Sequence, residues 1–150
     1  MKQIRNGLFE TNSSSVHTLS ISKDGLEPSK LKLNKNGNIE VEFAEFGKDY
    51  MVYDTQYEKL QYLLSFIAYE SGYYYCDVSD LEELYEHYNF RTIRDAVCEY
   101  AGANDIVIVG EDNAYIDHQS ADDCVVNLWD EDEIINFVFN KYAALKTDCD

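Results

Sequence analysis

The sequence predicts a single α+β domain, in which a mainly antiparallel sheet of hairpins packs with three to four helices. Three observations support this fold class. Apolar residues alternate with polar ones in the first third of the chain, they recur at helical spacing between residues 55 and 102, and a shorter strand and helix pattern follows. The length of 150 residues suits one domain with its own hydrophobic core. Strands, helices, strands and a closing helix in that order are typical of α+β domains.

The first strands are predicted from alternation and turn residues. Residues 16–22 place His17, Leu19 and Ile21 on one face of a strand. Further on, Leu31 and Leu33 are expected to pair with Ile39, Val41 and Phe43 across the turn Lys35-Asn36-Gly37-Asn38. Asn-Gly between alternating runs favours a tight hairpin turn, because both central residues need positive φ.

The helices are predicted from capping residues and apolar spacing. Thr55 and Glu58 form a capping box, and the apolar positions Leu60, Leu63, Leu64 and Ile67 continue a helix up to Gly72. Ser79-x-x-Glu82 opens a second helix with Leu81, Leu84, Tyr85 and Tyr88 facing inward. A third helix carries Ile93, Val97 and Tyr100 and ends at Gly102.

The last third predicts another hairpin and another helix. Ile106 to Val109 and Ala114 to Asp117 are expected to pair around Gly110-Glu111-Asp112-Asn113. Asp130-x-x-Glu133 then caps a helix whose Ile134, Phe137 and Val138 face inward.

Negative charge is unevenly distributed along the chain. The net charge is −17, and residues 49–150 contain 23 acidic and five basic residues, whereas residues 1–48 contain six and seven. Such a composition disfavours direct nucleic-acid binding, because a nucleic-acid-binding protein neutralises phosphates with Lys and Arg. The same field attracts basic protein surfaces, although acidic residues also serve solubility alone.

Acidic residues and tyrosines together predict a partner-binding surface. Tyrosine supplies large, rigid contact area with a polar tip, and at least one residue of the run Tyr73-Tyr74-Tyr75 must face away from the core. The acids of the second helix lie opposite its apolar stripe. The predicted partner-binding residues are Tyr73, Tyr74, Tyr75, Asp80, Glu82, Glu83, Glu86, Glu111, Asp112, Asp122 and Asp123.

An alternative hypothesis places chemistry at two polar segments, residues 9–19 and 114–123. If His17 and His118 converge, Asp117 or Asp122 could complete a two-histidine, one-carboxylate metal site. Ser14 could act as a nucleophile beside His17. The Gly-x-Ser-x-Gly context of a nucleophile elbow is missing from the serine run. A hydrogen-bonded turn leading into a strand, with His17 in the core, is the preferred interpretation. No cofactor is predicted.

Cysteine spacing and hydropathy indicate in which cellular compartment the protein is expected. Cys76, Cys98, Cys124 and Cys149 are 22 to 26 positions apart, without the close pairs that bind zinc, which favours free thiols. The chain shows no apolar run of membrane-spanning length and no signal-peptide pattern at its start. A cytoplasmic location is therefore expected.

The segments RNGLFETNSSSVHTL, YIDHQSADD, NLW and FVFNKY resemble a family of uncharacterised proteins from bacteriophages and mobile elements of gut-type Gram-positive bacteria. The resemblance covers about a third of the chain. It implies a mobile-element setting inside a bacterial host. It also implies that one shared centre contains Asn12, Ser13, Ser14, Ser15, His17, Asp117 and His118.

Charge and resemblance together predict a small inhibitor that occupies the basic nucleic-acid groove of a host defence enzyme, such as a CRISPR effector or a restriction enzyme. The alternative is a hydrolase or metal-binding domain centred on His17 and His118.

Overall fold

A computed structural model describes residues 14–18, 23–117 and 126–149, with side chains described for residues 24–117 and 126–147. In chain order, the strands are β1 (Ser14–Thr18), β2 (Asn38–Glu42), β3 (Glu45–Phe46), β4 (Met51–Tyr53), β5 (Asp105–Val109), β6 (Tyr115–Ile116) and β7 (Leu145–Cys149). The helices are α1 (Gln56–Ser71), α2 (Val78–Glu86), α3 (Tyr88–Ala101) and α4 (Glu131–Phe139), and a short 3₁₀ helix spans Lys23–Gly25. The α+β fold class is confirmed.

The strands form three small sheets. β7 lies between β1 and β4 and pairs antiparallel with both. β2 pairs in parallel with β5, and β3 pairs in parallel with β6. Because β2 and β3 follow each other closely, as do β5 and β6, the two parallel pairs continue one another, and Tyr115 N donates to Ala44 O between them at 3.2 Å. The expected dominance of antiparallel hairpins is therefore wrong for β2, β3, β5 and β6, which form parallel pairs.

The hairpin expected between Leu31 and Phe43 does not form. The chain does turn at residues 35–38, but of the two central residues only Gly37 has positive φ, so the expected turn with positive φ at both Asn36 and Gly37 is wrong. The turn is closed by Asn34, whose Oδ1 accepts hydrogen bonds from Asn36 N and Asn38 N, and Gly37 has a φ of 79°. Asn34 N donates to Asn38 O at 2.8 Å, but Leu31 and Leu33 do not pair with the rest of β2. Gln56 instead binds this segment, because its Oε1 accepts from Lys30 N and its Nε2 donates to Pro28 O.

The second expected hairpin, residues 106–117, is also wrong. Residues 110–113 do not turn the chain back on itself. They form a loop whose ends belong to two parallel pairs, and both β5 and β6 find their partners in the first third of the chain. Parallel pairing needs a long crossover, which here contains α1, α2 and α3.

The first helix follows the prediction closely. Thr55 Oγ1 accepts from Glu58 N at 3.1 Å, and the helix ends at Gly72 with a φ of 83°. Leu60, Leu63, Leu64 and Ile67 are all buried. They belong to one continuous cluster of apolar side chains that also includes Ile39 and Phe137.

The second and third helices differ from the prediction at their junction. α2 begins at Val78 after the cap Asp77, rather than at Ser79, and it ends at Glu86. His87 has an extended ψ of 135° and is the N-cap of α3. Tyr88 therefore belongs to α3 and is exposed, so its expected inward position is wrong.

The closing helix and the first strand agree with the prediction only in part. Asp130 Oδ1 accepts from Glu133 N at 3.2 Å, and Ile134, Phe137 and Val138 are buried, which confirms the predicted α4. The predicted strand 16–22 overlaps β1 at residues 16–18, while residues 19–22 lie outside the described ranges. β7 was not predicted.

Candidate functional site

The predicted tyrosines lie in the turn between α1 and α2, and only part of their surface is exposed. Tyr73 and Tyr74 are half-buried against the core, and Tyr75 is 49% exposed. The ring centroids of Tyr74 and Tyr75 lie 4.6 Å apart, and the Tyr69 ring packs against Tyr74 on the other side. The pKa of Tyr75 is raised, first by its hydrogen bond with Tyr74, then by the charge of Tyr74, by burial and by the carboxylates of Asp80 and Asp77. The tyrosine run therefore presents one ring outward and uses two as support.

The loop of residues 110–113 packs against this turn. Cys76 N donates to Asn113 Oδ1 at 3.1 Å, and the Cys76 thiol donates to Gly110 O at 3.0 Å. Ala114 N donates to Tyr74 O at 2.9 Å. These three contacts bring Glu111 and Asp112 to the beginning of α2, and the two that Cys76 makes span 34 and 37 positions of the chain.

Acids from three segments consequently surround Cys76. Burial raises the pKa of the Cys76 thiol, and the carboxylates of Asp112, Asp77, Glu111 and Glu42 raise it further. Negative charges act in this direction because they disfavour the thiolate. Cys76 was not among the predicted site residues, although its position directly after the tyrosine run was visible in the sequence.

Helix α2 extends the negative surface away from this point. Asp77 Oδ1 accepts from Asp80 N at 2.9 Å, and Asp80 Oδ2 accepts from Tyr75 N at 3.1 Å, so these two carboxylates fix the start of the helix. Glu82, Glu83 and Glu86 are exposed along its outer side. Tyr85, on the inner side, accepts a hydrogen bond from Ile108 N at 2.9 Å and so holds α2 against β5.

We call the resulting surface the acidic face. It consists of Asp77, Asp80, Glu82, Glu83, Glu86, Glu111 and Asp112, with Tyr75 beside them. Nine of the predicted partner-binding residues lie in the segments that build it, and the structure brings these segments together. Asp122 and Asp123 lie outside the described residues.

The alternative site is only partly visible. Ser14 and His17 belong to β1, opposite Cys149 and Lys146 of β7. Asp117 follows β6 in a different sheet, and His118 lies outside the described residues. Asp117 is close to Lys48, whose pKa is raised by a hydrogen bond to Glu45 and further by Tyr115 and Asp117. Among the side chains that the structure describes, no group of three or more His, Cys, Asp or Glu residues is arranged to hold a metal ion.

Two further expectations concern the thiols and the membrane. Cys76 and Cys98 are free, as predicted, and the side chains of Cys124 and Cys149 lie outside the described ones. Within residues 14–18, 23–117 and 126–149, no helix is both long and apolar enough to cross a bilayer.

Comparison of the chain with family models, with curated proteins and with solved structures finds no match. The resemblance to bacteriophage proteins therefore stays a prediction based on the sequence segments alone.

Proposed function

We propose that this protein is a phage-type inhibitor that binds a host nucleic-acid-targeting defence enzyme and occupies its basic nucleic-acid groove. It acts by protein–protein contact and needs no catalytic residue of its own. The observation that carries the proposal is the packing of the 110–113 loop against Cys76, which joins Glu111 and Asp112 to the acids of α2.

The acids of this face are available to a partner. Glu82, Glu83, Glu86, Glu111 and Asp112 are exposed, and none forms a salt bridge with any described residue. Unpaired like charges on one surface repel one another. Binding of a basic surface reduces this repulsion, because it neutralises the carboxylates. Complementary charge also speeds association and excludes wrongly charged partners.

A nucleic-acid groove is the kind of basic surface that fits this face. Such a groove presents clustered Lys and Arg to a line of phosphates. α2 has nine residues and is therefore about 14 Å long at 1.5 Å per residue, which is comparable to several phosphate spacings along one strand. Its outer glutamates offer the negative charges, and Tyr75 offers an aromatic contact of the type enriched at interfaces.

The proposal is tested with DNA-cleavage assays on a purified CRISPR effector and a purified restriction enzyme. We expect the protein to inhibit cleavage and to compete with DNA for the enzyme. The inhibition should weaken steeply from low to high salt, because charge-steered docking is screened over about 10 Å at 0.1 M. Inhibition that is unchanged by salt would contradict an electrostatic interface.

Charge reversal identifies the face responsible. The triple variant with Glu82, Glu83 and Glu86 changed to Lys should lose most of the inhibition while keeping its thermal melting temperature, since these side chains are exposed.

The matched control reverses three exposed acids on other elements, with the same change in net charge: Glu40→Lys, Asp49→Lys and Asp54→Lys. It should retain most of the inhibition. Equal loss in both triples would show that net charge alone matters, and normal inhibition by the α2 triple would exclude α2 from the interface.

A further inference from the structure

Two large aromatic side chains are exposed side by side at the start of α3 and α4. Trp129 is 70% exposed and Tyr88 is 51% exposed. Their ring centroids lie 4.3 Å apart, with an angle of 43° between the ring planes. Neither residue was predicted to bind a partner. The two rings together form a contiguous exposed aromatic surface.

Both rings are held by ordered backbone. Trp129 N donates to Asn127 Oδ1 at 3.0 Å, and Asp130 N donates to Asn127 O at 3.1 Å, so a turn fixes the residue before α4 begins. Tyr88 is the first residue of α3, whose start is capped by His87 Nδ1 accepting from Asn89 N. Exposed rings on fixed elements lose little conformational freedom when a partner binds.

An acidic cavity lies between the same two helices. Its volume is about 490 Å³, and its lining includes Glu131 and Asp132, which follow Trp129 by two and three residues in the chain. The described residues that line it include three carboxylates and no basic side chain: Ala96, Glu99, Tyr100, Glu131, Asp132 and Ile135. Arg91, which is exposed one turn beyond Tyr88, is the basic residue nearest to the pair in sequence.

We propose that Tyr88, Trp129 and this cavity form a docking site for an arginine-containing segment of a basic partner protein. A guanidinium group stacks on aromatic faces and pairs with carboxylates, and an ammonium group does the second more readily than the first. The exposed aromatic pair supplies the stacking surface, and Glu99, Glu131 and Asp132 supply the opposite charge. Interface energy concentrates in Trp, Tyr and Arg, which is the combination that this site would bring together.

The proposal rests on the proposed function for the kind of partner, and it adds a second contact region. Tyr88 follows Glu86 of the acidic face by two residues, so one partner can contact both. The carboxylates of the acidic face attract arginine and lysine alike, whereas this site distinguishes arginine from lysine.

The test uses nona-arginine and nona-lysine peptides as probes and the protein's own fluorescence as readout. Trp129 is the single tryptophan of the chain, so its emission reports on this site alone. We expect saturable quenching with nona-arginine and about tenfold weaker binding of nona-lysine, since stacking of a desolvated cation contributes on the order of tenfold in affinity. Equal affinity for both peptides, or binding of nona-arginine without any change of Trp129 emission, would overturn the proposal.

Variants measured by calorimetry separate stacking from charge. Trp129→Ala should weaken nona-arginine binding about tenfold and remove the preference over nona-lysine. The matched control Tyr50→Ala removes another exposed aromatic ring and should bind normally. A Trp129→Ala variant that binds like wild type would exclude the aromatic pair.

A second matched set tests the carboxylates. Glu131→Gln with Asp132→Asn should weaken binding of both peptides, and the control Asp49→Asn with Asp54→Asn should weaken it far less. Equal weakening in both double variants would exclude the α3 and α4 cavity as the docking site. Failure here leaves the α2 charge-reversal result unaffected, so the two proposals are distinguishable.

Discussion

Replacing Lys59 with Met should destabilise the protein, and the loss should grow as the pH rises. Lys59 lies on α1 and is 1% exposed. Its Nζ donates to Asn140 O at 2.9 Å and to Ala143 O at 3.0 Å, and it lies 5.9 Å from the centre of the Phe137 ring. The ammonium group thereby ties α1 to the carbonyl groups that follow α4.

At pH 7 the variant removes the Lys59 donor from two buried carbonyl groups. Asn140 O keeps a hydrogen bond from Ala143 N at 3.1 Å, so the larger loss is at Ala143 O. A buried acceptor left without a partner costs about 1–3 kcal/mol, and the apolar burial of the methionine offsets part of this. We therefore expect the free energy of unfolding to fall by about 1 kcal/mol. Met has nearly the same length and volume as Lys, so the substitution tests the charge and the hydrogen bonds with little change in packing.

The pH dependence follows from the titration of Lys59. Burial lowers its pKa from 10.5 to about 8, and the charges of Asp54 and Glu27 oppose part of this shift. At a pH between these two pKa values, Lys59 is protonated in the unfolded chain and has lost this proton in the folded protein. Stability of the wild type therefore rises with pH by about 1.4 kcal/mol per pH unit from this group, and the total is roughly 3 kcal/mol.

Urea unfolding of both proteins at pH 7, 8, 9 and 10 measures this difference. All other titratable groups are common to both proteins, so their contributions cancel in the comparison. The gap between wild type and Lys59→Met should widen steadily above pH 8. A gap that is constant from pH 7 to pH 10 would refute the lowered pKa, and a variant as stable as wild type at pH 7 would refute the role of the two hydrogen bonds.

Three further predictions concern other parts of the chain. Asn34→Ala should lower the free energy of unfolding by about 1–2 kcal/mol, because Asn34 Oδ1 accepts two hydrogen bonds that close the turn before β2, and an unchanged urea midpoint would contradict this. Burial raises the pKa of Cys98 to about 11, so iodoacetamide at pH 8 should modify Cys98 in the folded protein far more slowly than after unfolding, as peptide mass spectrometry can follow, and equal rates would argue against its burial. Ser14→Ala should cost about 0.5–1.5 kcal/mol per hydrogen bond lost, with inhibition reduced only as far as stability, whereas a His17→Ala variant with normal melting temperature and no activity would favour the hydrolase or metal-binding alternative.

Local signals in the sequence predicted the helices well. Capping residues and apolar spacing determine where α1 starts and ends, because the capping hydrogen bonds and Gly72 act within a few residues. The junction at His87 was harder to predict. The same residue ends one helix and caps the next, so the apolar phase that made Tyr88 look buried breaks there.

Strand pairing was predicted poorly for a physical reason. An Asn-Gly turn fixes only the direction of the chain over four residues, and it does not decide which strand lies beside β2. β2 pairs with β5 because Ile106 and Ile108 bury their side chains in the same core as Ile39 and Val41. These two pairs of residues lie more than 60 positions apart in the chain. No local pattern reports such a pairing.

In the candidate site, too, the local features were predicted and the long-range contacts were not. The acids of α2 were identified from their position opposite the apolar stripe. The approach of Glu111 and Asp112 depended on Cys76 and Asn113, whose contacts span more than 30 positions. Trp129 was overlooked because an isolated tryptophan before an acidic run is more often a core residue than an exposed one.

The strand order β1-β7-β4 affects how the protein folds during synthesis. β7 is the central strand of this sheet, yet it is the last of the described elements to leave the ribosome. β1 and β4 are synthesised long before β7. Until β7 is complete, their backbone N–H and C=O groups on that side have no strand partner and can pair with other chains. β2 likewise cannot pair until β5 has been synthesised, so the sheets of the nascent chain form late. We therefore expect folding to be slow compared with a helical protein of this size. Ribosome-bound chains that stop before residue 145 should therefore remain sensitive to proteases at β1 and β4, the two strands that pair with β7.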